Sequence, residues 1–180
     1  VSKLEQHSFN MKIFLIGFMG SGKTTSGKRL AAALNYPFFD LDHQIARATG
    51  MSIPAYFAAY GEDAFRQLEQ EILQTFAYPD SCVISTGGGT PCYYDNMDWM
   101  NNHGLTVFID MPPVALAKRL EQGKHKRPLL KDLNSDEMVE FIREKLEDRL
   151  LYYNKAKVII NGISLSTESL HSAVRNAGLK

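Results

Sequence analysis

The chain is predicted to be an α/β protein built on a parallel sheet with helices on both faces, and three observations predict it. Apolar runs of strand length alternate with longer segments of helical period, which is how successive β-α-β units read. Gly17-Phe18-Met19-Gly20-Ser21-Gly22-Lys23-Thr24 fits G-x-x-x-x-G-K-[ST] and stands between the first such run and the first helical pattern. Asp40-Leu41-Asp42 and Gly87-Gly88-Gly89 then follow later runs, at the strand ends where an open parallel sheet places its ligand crevice.

The first strand is read over Lys12 to Gly17. In the loop after it, glycines let backbone N–H groups turn inward on phosphate oxygens, and the next helix adds the positive end of its dipole. Lys23 is placed to reach the β- and γ-phosphates of a nucleotide and the Thr24 hydroxyl to ligate Mg2+. Gly27, Leu30, Ala31 and Leu34 form the inner stripe of that helix, with Gly27 allowing close approach to the sheet.

Pro37 to Asp40 is the second strand. Alternation along an extended segment would point Asp40 and Asp42 the same way, one toward a metal and its water, the other toward a hydroxyl proton. Asp42 could instead cap the helix that begins after it. From Ser52 to Ala77 the period is helical, with Phe65, Leu68, Ile72 and Phe76 at spacings of three and four. Arg66, on the edge of that stripe, is either the partner of Glu62 four residues earlier or a cleft residue.

Cys82 to Thr86 is the third strand, and the three glycines after it let backbone N–H groups approach a ligand. Trp99, Met97 and Met100 read as helix packing, and Thr106 to Asp110 as the fourth strand. Residues 123–134 are basic, contain a proline and have no sustained period. They form either a solvated loop or a lid in which Arg127 closes over the nucleotide. The helix from Ser135 to Tyr153 sets its apolar face with Met138, Ile142, Leu146 and Tyr153, and Arg149 falls in the middle of it. A guanidinium there must snorkel, pair with a carboxylate, or look into a polar pocket, where its fork suits a substrate carboxylate. Lys157 to Asn161 is the last strand, and Gly50, Gly61, Gly104 and Gly123 mark helix ends or loop entries.

At 180 residues the chain has room for one substantial core. Twenty basic and twenty acidic residues cancel, so no global field argues for nucleic acid or an anionic membrane, and a small-molecule partner is expected. Without a membrane-length apolar stretch or a secretory layout, the expected location is the cytoplasm, and without an evident surplus apolar stripe the expected state is a monomer. Cys82 and Cys92 read as reduced, structural thiols, and the five histidines share no metal-like spacing. Residues 1–10, ahead of Met11, read as a disordered arm or an added remnant.

Taken together, G-F-M-G-S-G-K-T at 17–24, D-L-D at 40–42, G-E-D-A-F-R ending at Arg66, G-G-G at 87–89, R-P-L-L from Arg127, and Arg149 before Tyr152-Tyr153 resemble the shikimate kinase family, from Met11 to about Asn161. The resemblance implies the nucleoside-monophosphate-kinase-like branch of the P-loop fold, a three-layer kinase with five parallel strands in the order 2-3-1-4-5. It implies one domain over 11–180, a substrate-binding helical region at about 41–77 and a lid at about 123–134. The implied activity is phosphorylation of the 3-hydroxyl of shikimate by MgATP, on the route to chorismate and the aromatic amino acids.

By motif position, Gly20, Ser21, Gly22, Lys23, Thr24 and Thr25 would bind ATP, and Thr24 and Asp40 would hold Mg2+. Asp42 would bind shikimate as candidate base, Arg66 and Arg149 its carboxylate, and Gly88 and Gly89 would offer backbone contacts. Phe57 and Phe65 would wall the ring, Arg127 would be the lid arginine, and Lys23, Asp42 and Arg127 would form the catalytic set. Arg119 resembles the adenine-stacking arginine of the family, about one residue farther from Arg127 than the pattern has it. Leu41 stands where a small polar residue is usual and Ala46 where glutamate is frequent. A kinase for another small hydroxy acid, such as gluconate, and a non-catalytic ATP-binding module are the competing readings.

Overall fold

The computed structural model describes residues 10–123 and 129–178. Five parallel strands form one sheet in the order β2-β3-β1-β4-β5, with β1 at Lys12–Ile16, β2 at Phe38–Asp40, β3 at Cys82–Ser85, β4 at Leu105–Asp110 and β5 at Val158–Asn161. The helices are α1 (Lys23–Leu34), α2 (Leu41–Thr49), α3 (Ile53–Thr75), α4 (Asn96–His103), α5 (Pro113–Glu121), α6 (Ser135–Tyr153) and α7 (Thr167–Gly178). Each strand end differs from the sequence expectation by a residue at most, as at Gly17, whose φ of +143° ends β1 early.

The period of two explains why the inner strands read as unbroken apolar runs. Ile13 and Leu15 of β1 point to one face, where they pack with Val83, Val107, Leu30 and Ala31 of α1 and Leu170 and Val174 of α7. Phe14 and Ile16 point to the other, where Ile84 and Phe108 meet residues of α2 through α6. Gly27 permits the expected close approach, since a Cβ there would lie 2.7 Å from the Phe38 ring and 3.0 Å from Leu15. Trp99 packs edge-on against Phe14 at 6.0 Å between ring centres.

One local detail differs from the sequence reading. The chain does not stay extended through Asp42: α2 starts at Leu41, and Asp40 is its N-cap, accepting from the His43 N–H at 3.2 Å. Gly61, at φ 81° and ψ 175°, separates two helical stretches of α3 and so marks a helix end as the sequence reading has it. Likewise α6 begins and ends where the period places it, opened by a reciprocal cap between Asn134 and Glu137. Leu130, in the basic connection before α6, is fully buried in the core and ties that end of the segment to the body. No helix among the described residues is long and apolar enough to cross a membrane. Both cysteines are free thiols that burial pushes up to about 11, the inert state expected of them.

Candidate active site

Because the strands are parallel, the segments leaving β1, β2 and β3 emerge at one edge of the sheet. The loop after β1 has Gly17, Gly20 and Gly22 at φ +143°, +81° and +95°, a run that other residues would strain to adopt. Gly22 is the N-cap of α1 and places no side chain over the helix start, so its first N–H groups stay open to an anion. Lys23 turns its ammonium into this loop, donating to Gly17 O at 2.8 Å and Phe18 O at 2.9 Å. Burial lowers its pKa to about 8, with Asp42 and Asp40 opposing that shift and Arg149 adding to it. Ser21 Oγ is buried with no partner among the described residues. A cationic, donor-rich loop holding an unsatisfied hydroxyl fits a polyphosphate.

Beside it, Thr24 Oγ1 donates to Asp40 Oδ2 at 2.9 Å and lies 3.5 Å from Ser85 Oγ. This set is all oxygen with one carboxylate, which suits Mg2+ shared with phosphate oxygens. Ser85 lies opposite Asp40 in the β2–β3 register. Sequence reasoning missed it, although a serine closing an apolar strand was a signal. Thr25 is exposed on the first turn of α1.

Across the cleft, Asp42 sits in the first turn of α2 with its own surface open to solvent, and a Cβ on Gly87 would lie 3.2 Å from its Oδ1. The protein mass around the cleft, then the like charges of Asp40 and Glu69, raise its pKa to about 6 against the pull of Lys23 and Arg66. The cap belongs to Asp40, which leaves Asp42 without that structural duty.

Arg66 pairs with Glu62, as one reading has it, and its guanidinium is also drawn inward. Its side chain is 10% exposed and pairs with Glu62 at 3.3 Å, but its shorter bond, 2.8 Å, goes to Glu69, which is buried and also accepts from Thr90 Oγ1 at 2.6 Å. Glu69 escaped sequence reasoning because one charge at i+3 looks like any surface pair. The Arg66 guanidinium lies against Gly89, where a Cβ would meet its Nη atoms at 2.6 and 2.7 Å.

Arg149 reaches in from α6, stacked 5.1 Å over the Phe18 ring, and a Cβ on Gly88 would lie 3.3 Å from its Nη1. That Nη1 is buried without a hydrogen-bond partner among the described residues. Tyr153, one turn on, donates from its hydroxyl to Gly88 O at 2.5 Å and holds the glycine loop beside Arg149. Phe57 lies tilted by 33° against Phe65 with ring centres 4.4 Å apart; Phe65 is core and Phe57 half-buried. Arg119 crosses the outside of the phosphate loop, donating to Ser21 O at 3.2 Å and to Gly162 O at 3.4 Å. Arg127 lies outside the described residues.

One sheet edge therefore carries a phosphate-shaped loop, an oxygen set for a divalent cation, a carboxylate of raised basicity, and two guanidinium groups facing a glycine turn. The family profile described as shikimate kinase matches residues 19–176. The shikimate kinase of Parabacteroides distasonis is 43% identical over 94% of this chain and 98% of its own. Among solved structures, the shikimate kinase of Bacteroides thetaiotaomicron superposes with a TM-score of 0.82 at 40% identity, covering 94% of both chains. That of Acinetobacter baumannii, in complex with shikimate, gives 0.83 at 31% identity, covering 97% of both.

Proposed function

The chain belongs to the shikimate kinase family, and from that premise we propose that it transfers the γ-phosphoryl group of ATP to the 3-hydroxyl of shikimate, giving shikimate 3-phosphate and ADP on the route to chorismate. The observation that carries the assignment of roles is the Nη1 of Arg149, buried beside Gly88 with no partner among the described residues, with Arg66 against the adjoining Gly89. A buried guanidinium N–H left unmade is costly, and a substrate carboxylate satisfies it.

In this reading Lys23 leaves the Gly17 and Phe18 carbonyls and donates to the β- and γ-phosphates, while the N–H groups at the start of α1 take the remaining oxygens. Thr24 and Asp40, with Ser85 behind them, hold Mg2+, which when bound neutralises charge on the phosphates. Arg66 and Arg149 fix the acid, and the backbone of Gly88 and Gly89 lies against the ring. The acceptor hydroxyl is then aligned with Asp42, which takes its proton as the oxygen attacks the γ-phosphorus and the bond from that phosphorus to the β-phosphate oxygen breaks, releasing ADP. Arg119 supports the outer side of the phosphate loop near the base of the nucleotide, and Arg127 is assigned to the phosphates by motif alone.

A coupled assay of ADP release with MgATP should give turnover with shikimate and none with gluconate or nucleoside monophosphates. Turnover with gluconate alone would replace the acid-ring reading by the open-chain one.

The ionisations also predict a pH profile. Asp42 acts as a base only when ionised, so kcat/KM should fall about tenfold per pH unit below about 6, where its raised pKa lies. Lys23 binds phosphate only when protonated, so kcat/KM for ATP should fall again above about 8. An acid limb near 4 would mean that an ordinary carboxylate, not Asp42, controls the proton.

A further inference from the structure

We propose that Tyr93 is a positioning residue for acid recognition: its ring and hydroxyl together set the plane of the Arg66 guanidinium, and so the affinity for a carboxylated substrate. This rests on the reading of Arg66 as a carboxylate ligand. Tyr93 follows the short 3-10 turn Thr90–Cys92 that leaves the triple glycine. Its ring lies 4.2 Å from Arg66 Cζ, nearer than Phe65 at 5.2 Å or Phe57 at 5.9 Å. Its hydroxyl donates at 2.8 Å to Glu62 Oε1, the same oxygen that accepts from Arg66 Nε at 3.4 Å and Nη2 at 3.3 Å.

The division of labour follows from exposure. The Glu62 side chain is 54% exposed, and an exposed pair of this kind on a helix holds little by itself. The phenol of Tyr93 is what fixes that carboxylate in place, and its hydrogen bond leads the influences that hold the Glu62 carboxyl below its ordinary range. With Glu69 taking Nη1 at 2.8 Å, the guanidinium is gripped at one edge, at one end and on one face. Glu62 takes Nε and Nη2 and Glu69 takes Nη1, so the plane of the fork is set before a planar carboxylate reaches it.

The test is steady-state kinetics of the full chain, with shikimate and ATP varied in turn, for wild type, Tyr93→Leu and Tyr93→Phe. Turnover by wild type establishes the parent reading first, so its failure cannot be confused with failure of this one. Losing both stacking and the phenol, Tyr93→Leu should raise KM for shikimate about tenfold, and Tyr93→Phe, which keeps the ring, about threefold. KM for ATP and kcat should stay within about twofold, because Tyr93 acts only through the acid-binding arginine. Combining Tyr93→Phe with Glu62→Gln should add little to either alone, since both remove one link. A shikimate KM within twofold of wild type in both single variants overturns the proposal. So does a parallel loss in kcat and both KM values, which marks a merely structural residue. Should the Leu variant not fold, the Phe variant decides alone: a threefold rise supports the inference and an unchanged KM overturns it.

Discussion

Asp42→Asn should lower kcat by about a thousandfold while ATP still binds, since a positioned general base contributes roughly 10²–10⁴ in rate. The change is nearly isosteric and removes only the capacity to accept a proton. Its effect on the fold separates the catalytic reading from a structural one. The pKa of Asp42 is raised, to about 6, so ionising it is harder in the folded chain than in the unfolded one. That penalty is present in full above pH 6 and fades as pH falls toward the unfolded value. Asparagine removes it, so at pH 7 the variant should melt no lower than wild type and, if anything, higher. Nothing structural is lost, because Asp40 supplies the cap of α2. Full activity in the variant would show that the proton leaves by another route. A lowered melting temperature would mean that Asp42 holds contacts the fold needs.

Arg149→Ala should raise KM for shikimate between about ten- and a hundredfold, the value of a charge-assisted hydrogen bond in a desolvated site. KM for ATP should change little, because the phosphate loop and Lys23 are untouched. A second outcome tests the same geometry from the other side. Arg149 is one of the influences that depress Lys23, so removing its charge should move the alkaline limb of kcat/KM for ATP upward from about 8. An ester of shikimate, lacking the negative charge, should show little difference between wild type and variant. Equal loss on acid and ester would return Arg149 to a packing role over Phe18.

These expectations draw on different depths of the sequence. The phosphate loop was legible because each of its demands is local: positive φ at the glycines, a helix start without a covering side chain, and a lysine one residue on. Helix α6 was legible for a related reason, since its period and Asn134 to Glu137 cap lie within one segment. Arg149 also stood out locally, as a charge on an apolar face. Asp42 was half legible. Its position after β2 was correct, but alternation was the wrong geometry, because a chain that turns helical at Leu41 no longer alternates. Glu69, Ser85 and Tyr93 were silent, since each matters only through a partner brought by another strand or turn.

By itself, then, the sequence determined which backbone could curl around phosphate, which faces of strands and helices had to be buried, and the family to which the motifs belong. Tertiary structure alone decided that Arg66 meets Glu69 and Tyr93, that Arg149 Nη1 is buried beside Gly88 with no partner among the described residues, and that Asp42 and Lys23 hold shifted protons. The division is physical. Backbone torsion and periodic burial are set by residues within a few positions of each other. Electrostatic and hydrogen-bond energies fall off with distance in space, and proximity in space between residues 42, 66, 88 and 149 exists only once the sheet has brought them to one edge.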